Sequence, residues 1–455
     1  MLKHRFVLAA SLLAFVATGA LAETPWTVKQ DWVSAHEAFL ASDALRGRGS
    51  ATHDEAVAAA YVAAQFQSYG LKPAPGMDGY IQTAGVIKPK ISGPASLKIG
   101  DATANDGLRL IYTSAKPVSG TVAVATSDDP AKLPVADIVF INAMGKASAG
   151  GWSRAALAKG AKLVVFRDNA ALQARYGTEA RAPSVASYLE ESPPKSGLAD
   201  IAILPAEAFD RLVANKATTG ALDLGEVTLE KALTSNAIAY LPGSDPSAGV
   251  ILVTAHLDHL GVQADGTIMH GANDDASGTV AVMEVAHALA AAPQPKRGVL
   301  FVAYGSEEIG GLGSHYFADH PPIPLEQIVA NLEFEMIGAQ DPKMAKGELM
   351  ITGFERSNLG ETLKAKGALI ASDPYPEQNF FERSDNYSLA LKGIVAHTIS
   401  GWAVTPTYHD KTDDIAHLDL PFMTAAIQSL IVPVEYLINS DFKPEWKPGG
   451  KPGAK

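Results

Sequence analysis

The stretch 253–278, VTAHLDHLGVQADGTIMHGANDDASG, constrains this chain more than any other. An apolar run over residues 249–255 stops abruptly at His256, Asp258 and His259. A polar loop follows, then Asn273-Asp274-Asp275, then a small-residue helix start. In an open α/β sheet, ligands gather at the carboxyl ends of the strands, where this pattern puts imidazoles and carboxylates together. Neutral imidazole with carboxylate oxygen is a donor set suited to zinc. A charged surface loop after a strand would look similar in isolation, but further partners recur downstream.

A chain of 455 residues suggests two or three domains. With 47% hydrophobic and 19% charged residues, it has a full core and an ordinary surface. Lys3, His4 and Arg5, the short apolar run 6–16 and Ala20-Leu21-Ala22 predict a signal peptide over residues 1–22. The mature chain is then exported, to periplasm or medium, without a membrane anchor. The chain has no cysteine, which excludes disulfides, thiol catalysis and lipid attachment through cysteine. Removing residues 1–22 takes away two basic residues and no acidic ones, moving the net charge from −12 to −14. That balance, without any basic run, argues against nucleic acid as a partner. Oligomeric state leaves no mark in the sequence.

Residues 23–95 open with a helical pattern around 32–40. A second helix is marked by Thr52 and Glu55 as a capping box, by Val57, Tyr61, Val62 and Phe66 at helical spacing, and by Gly70 at its end. Between them, residues 42–49 (SDALRGRG) read as a structured loop. Residues 96–232 have a different texture, with short β-like runs between glycine and proline turns and one helix near 153–159. This section holds none of the twelve histidines and reads as an inserted, β-rich accessory domain. Residues 233–440 return to strand–helix alternation, the pattern of an α/β fold with a mostly parallel mixed sheet flanked by helices. Residues 441–455, rich in lysine, proline and glycine, read as a disordered tail.

Four more clusters carry chemistry. Ser306-Glu307-Glu308 follows the apolar run RGVLFVAYG; adjacent carboxylates point different ways, so one can ligate metal while the other handles protons. In NLEFEMIG, alternation puts Glu333 and Glu335 on one face of a strand. Two carboxylates emerging from an apolar strand need a compensating charge, and a metal or a salt bridge would supply it. Arg383-Ser384-Asp385 is a short polar stretch before a strand. Tyr408-His409-Asp410-Lys411-Thr412-Asp413 offers an imidazole in a polar loop, with Asp413 placed to orient it. His287, His315, His320 and His397 read as structural.

Taken together, AHLDHLG, GANDDASG, YGSEEIGGLGS, FEMIG, RSD and YHDKTD resemble the co-catalytic di-zinc aminopeptidase family, over roughly residues 30–95 and 235–440. That family includes bacterial secreted leucyl aminopeptidases and, among its relatives, glutamate carboxypeptidase and the transferrin receptor. GWSRAALAKGAKLVVF resembles, more loosely, a protease-associated domain. The resemblance implies two zinc ions per chain. His256 and Glu335 would hold one, Glu308 and His409 the other, and Asp274 would bridge them. Asp258 would orient His256, Glu307 would act as general base, and Tyr408 would hydrogen-bond the developing oxyanion. Arg383 would lie near the substrate, and the Asp274–Asp275 peptide bond would be cis. Glu335 stands where many relatives carry aspartate, and Asn386 where many carry histidine. The activity implied is removal of N-terminal residues from peptides with a free N-terminus. A carboxypeptidase or dipeptidase, a receptor-like binding protein and a single-zinc cyclase are the alternatives on the same scaffold.

Overall fold

The computed structural model describes residues 26–178, 183–193 and 198–453. The expected signal peptide lies outside the described residues. The apolar runs Val250–His256 and Gly298–Tyr304 are buried along their whole length, as strands covered on both faces must be. They pair in parallel, and Ile328–Glu335 and Val395–Ser400 extend the parallel core on the other side of Val250–His256. Antiparallel strands close both margins. The nine-stranded sheet runs Ile370–Ser372, Leu349–Ile351, Val395–Ser400, Ile328–Glu335, Val250–His256, Gly298–Tyr304, Glu226–Leu241, Ile81–Ser92, Tyr188–Leu189.

Strand alternation feeds two cores. Ile251, Val253 and Ala255 face a layer containing Gln30–Leu40, His53–Ser68, Ser277–Ala291 and Leu420–Asn439. Val250 and Leu252 face the opposite layer, which includes Leu312–Asp319 and Asn386–Lys392. Leu420–Asn439 is long and apolar enough to cross a membrane, yet here it packs on Ser277–Ala291, with Ile427, Leu430 and Val434 buried.

A second nine-stranded sheet is built entirely from strands between Ser96–Ile99 and Thr219–Asp223. Its middle strands, Val118–Ala125, Ile138–Ile141, Leu163–Arg167 and Asp200–Leu204, are parallel. Among the described residues this section carries three α-helices rather than the single one expected: Ala149–Ala158, Ala170–Tyr176 and Ala206–Ala214. The last two are short and follow Asn169 and Pro205 at their N-caps. Glu226–Leu241 leaves this section and runs into the main sheet, pairing along Ile81–Ser92. The boundary expected at 232/233 therefore falls inside one continuous strand.

The tail corrects the sequence reading, because residues 441–453 are packed, not disordered. The Trp446 ring lies 5.4 Å from His397 and 6.1 Å from Phe381, and its Nε1 donates to Gly393 O at 3.0 Å. Asn358 bonds the main chain at Lys443 and Glu445. One tryptophan with a built socket outweighs a polar composition.

His397 is a core histidine, as its place inside a strand suggests. Nδ1 lies 2.7 Å from Thr352 O, which can only accept, so Nε2 accepts from Ser357 Oγ at 2.7 Å. Burial holds this imidazole down at about 4, against an ordinary 6.5. The unfolded chain therefore takes up the proton first, and stability is lost as pH falls from about 6.5 towards about 4. Denaturant unfolding at pH 7 and pH 4.5 should show wild type losing about 2–3 kcal/mol more than His397→Gln between the two.

Candidate metal centre

The site forms where three central strands end and the loop after a fourth, Val395–Ser400, closes over them. Each strand end turns sharply. Ser306 (φ 57°), Met336 (φ 53°) and His409 (φ 54°) all occupy the left-handed region without being glycine, a conformation that costs ~1–3 kcal/mol and clusters at functional sites. The turn at Ser306 delivers Glu307 and Glu308, and the turn at Met336 ends the strand immediately after Glu335. The loop carrying His409 follows Val395–Ser400, the parallel neighbour of Ile328–Glu335. The Asp274–Asp275 peptide bond is cis.

These loops bring His256, Asp274, Glu308, Glu335 and His409 together. One nitrogen or oxygen from each of His256, Asp274 and Glu335 lies within 4.8 Å of the others, and the same holds for His259, Asp274 and Glu308. Asp274 belongs to both groups. His256 Nε2 is 3.3 Å from Asp274 Oδ1. His409 Nε2 lies 3.2 Å from Asp274 Oδ2 and 3.0 Å from Glu308 Oε2. His259 Nδ1 lies 2.8 Å from Glu308 Oε1; the sequence reading singled His259 out beside His256 but gave it no place among the ligands. The signal was present: His259 is the last histidine of AHLDH and directly follows the strand end.

The chemistry of this donor set fits divalent cations. Both ring nitrogens of His256 and of His259, Asp274 Oδ2 and Glu308 Oε1 are buried and crowd together without forming hydrogen bonds of good geometry, which native interiors rarely tolerate. Burial, together with the neighbouring carboxylates, raises the acids. Glu307 and Glu333 are pushed well above the usual carboxylate range, Glu335 is raised, and Asp385 is pushed up to about 7. So many acids around one volume require a positive charge among them.

Other side chains hold the loops. Asp258 accepts from Glu307 N at 2.9 Å, Glu308 N at 3.3 Å and Ser50 Oγ at 2.5 Å. Its Oδ1 stands 3.7 Å from His256 Nδ1, facing the ring beyond hydrogen-bond length. Asp275 accepts from Gly278 N, Met336 N and His256 N, tying a helix start to two strand ends. Asp413 differs from expectation: it accepts from Asn273 N at 2.8 Å and Asp274 N at 3.0 Å, fixing the backbone beside Asp274 and not the His409 ring. Glu333 shares the face of Glu335 but is covered, accepting from Ser384 Oγ at 3.0 Å.

A cleft of about 490 Å³ opens onto Asp274, Glu307, Glu308, Glu335 and His409. Met336, Met350, Phe380 and Ala403 line its apolar part. Tyr408 lines it as well, its ring stacked on His409 at 3.9 Å. Arg383 stands exposed at the mouth, its guanidinium 4.9 Å from the Phe380 ring. It makes no ion pair among the described residues.

Residues 236–432, which supply every one of these clustered groups, match the model of peptidase family M28. Over that segment the chain resembles peptidase family M28. Leupeptin-inactivating enzyme 1 of Streptomyces exfoliatus is 38% identical over 109 residues, covering 24% of this chain and 23% of that protein. Aminopeptidase YwaD of Bacillus subtilis is 27% identical over 202 residues, 43% of each chain. The chain thus spans less than half the length of the curated relatives it matches. A solved structure described as BSAP, a zinc aminopeptidase from Bacillus subtilis, superposes with a TM-score of 0.56 at 19% identity, covering 91% of this chain and 97% of that one. The likeness in fold therefore extends well beyond the matched segment.

Proposed function

We propose that this protein is an exported zinc-dependent aminopeptidase that removes N-terminal residues from peptides through a two-cation centre. The observation that carries the reading is the convergence of two donor groups on one shared carboxylate, Asp274, at the floor of a cleft. The M28 match and the printed names of the relatives support it. His256 and Glu335 would hold one zinc, Glu308 and His409 the other, and Asp274 both. When bound, such a pair polarises the scissile carbonyl and lowers the pKa of water towards ~7.

This chain's own residues would do the rest. Glu307 takes the proton of the attacking water and returns it to the leaving amine. The Tyr408 hydroxyl donates to the oxyanion that develops on the scissile carbonyl. Glu307 and Glu335 give the cleft floor the negative charge that a free α-ammonium needs, and the wall of Met336, Met350, Phe380 and Ala403 receives an apolar side chain. Asp258 holds the main chain of Glu307 and Glu308 from behind. The section carrying the second sheet is proposed to be a protease-associated-like insertion that contributes no metal ligand.

The unpaired Arg383 at the cleft mouth favours a second reading, in which a substrate carboxylate is recognised and the enzyme is a dipeptidase or carboxypeptidase. Free and N-blocked peptides and aminoacyl-anilides, assayed with and without chelator, separate the two. Turnover of anilides that is lost on N-acetylation and on chelation supports the aminopeptidase. Turnover of N-blocked peptides with a free C-terminus supports the second reading.

His259 bears on the same centre. With its Nδ1 beside Glu308, His259→Ala should weaken the zinc held by Glu308 and His409 by ~10–100-fold, the usual effect of removing a residue that orients a ligand. Competition against a chromophoric chelator measures this, and unchanged affinity at both sites would remove His259 from the account.

A further inference from the structure

Residues 45–55 lie outside the segment 236–432 that matches the family, yet they are hydrogen-bonded to three site loops. Arg48 is fully buried, and its guanidinium donates to four backbone carbonyls. Nε reaches Leu257 O at 2.9 Å, Nη1 reaches Leu40 O at 2.7 Å and His270 O at 2.6 Å, and Nη2 reaches Gly271 O at 2.8 Å. Leu257 stands between His256 and Asp258, and Gly271 leads into Ala272, Asn273 and Asp274. One rigid fork therefore spans the two loops that must face each other across the metal centre. No carboxylate lies within 4 Å of the guanidinium among the described residues. All its hydrogen bonds go to carbonyls, while the buried Glu37 carboxylate is the strongest of the charges that offset its burial, and five donors in fixed geometry are what lysine lacks.

The surrounding turn is shaped for this contact. Arg48 itself is left-handed, at φ 49°. Gly47 has φ +73°, and a Cβ there would lie 2.1 Å from Met269 O, so only glycine lets this turn approach the main chain at Met269. Ser50 N bonds His259 O at 3.3 Å, and Ser50 Oγ bonds Asp258 Oδ2 at 2.5 Å. Glu55 accepts from Ser306 Oγ at 2.8 Å, reaching the third loop.

We propose that Arg48 is a positioning residue of the metal centre, setting the separation between the His256 loop and the Asp274 loop. The proposal rests on the two-cation reading. The structure provides a matched control in Arg297, whose guanidinium donates to Ala248 O, Leu437 O and Phe442 O at the opposite, amino-terminal end of the same strands. It is as much a carbonyl clamp as Arg48, but far from the site.

The test compares full-length wild type, Arg48→Lys and Arg297→Lys, stripped of metal and titrated with Zn²⁺ against a chromophoric chelator. Co²⁺-loaded samples are recorded in the visible, and apo-protein melting is measured in parallel. Both variants should melt earlier. Only Arg48→Lys should bind zinc ~10–100-fold more weakly and shift the Co²⁺ spectrum, while Arg297→Lys stays within ~2-fold of wild type. Wild-type zinc affinity and spectrum in Arg48→Lys would overturn the proposal, as would equal weakening by Arg297→Lys. If Arg48→Lys does not fold, Ser50→Ala takes its place: several-fold weaker zinc with an altered spectrum supports the proposal, and wild-type behaviour overturns it. Failure of the underlying reading looks different, since wild type itself would then take up no zinc.

Discussion

Glu307→Gln is expected to lower kcat by ~10²–10⁴ while both metals stay bound, the loss typical of removing a general base. The amide keeps the shape of the side chain and removes its basicity. The backbone at this position is independently held, since Glu307 N bonds Asp258 Oδ1 at 2.9 Å, so the loop should not move. Glu308 supplies an internal control one residue away. Its Oε2 lies 3.0 Å from His409 Nε2 and its Oε1 2.8 Å from His259 Nδ1. Glu308→Gln should therefore weaken one metal, and added zinc should restore part of the activity. Steady-state kinetics with metal analysis on the same samples separates the two. If Glu307→Gln loses zinc while Glu308→Gln keeps two metals without activity, the roles are reversed.

Asp274→Asn should have the largest effect on metal content. Asp274 is the one residue common to both donor groups. Against the opposing effect of burial, the neighbouring His256 and His409 hold its carboxylate far below the usual range. Asparagine preserves volume and the main-chain bonds from Asn273 N and Asp274 N to Asp413. It removes the negative charge that two cations would share, and cation binding of this kind depends on deprotonated ligands. Dialysed Asp274→Asn should retain less than one metal per chain and lose at least ~10³-fold in kcat/KM, the scale of losing Lewis-acid activation of water and carbonyl together. Retention of two metals would show that the pair does not depend on Asp274.

How much of this was legible before the structure depends on range. Residues fixed by strand periodicity could be read directly. His256 ends an apolar run, and alternation put Glu333 and Glu335 on one face. Alternation could not say which of these two reaches the cleft, because that depends on Ser384 covering Glu333 from a distant loop. Asp413 is the same lesson in another form: proximity in sequence suggested the His409 ring, whereas its hydrogen bonds go to the backbone at Asn273 and Asp274. Arg48 and Ser50 were visible only as a glycine-rich loop, since their partners at Leu257, Gly271 and Asp258 become neighbours through the fold alone. Trp446 was hidden by the lysine, proline and glycine around it.

The central claim is a two-cation centre, and metal stoichiometry tests it most directly. Metal-free full-length protein, titrated with Zn²⁺ and then dialysed, should hold two zinc ions per chain by elemental analysis, with aminoacyl-anilide turnover appearing as the second is taken up. One zinc per chain with full activity, or activity that survives complete removal of metal, would contradict it.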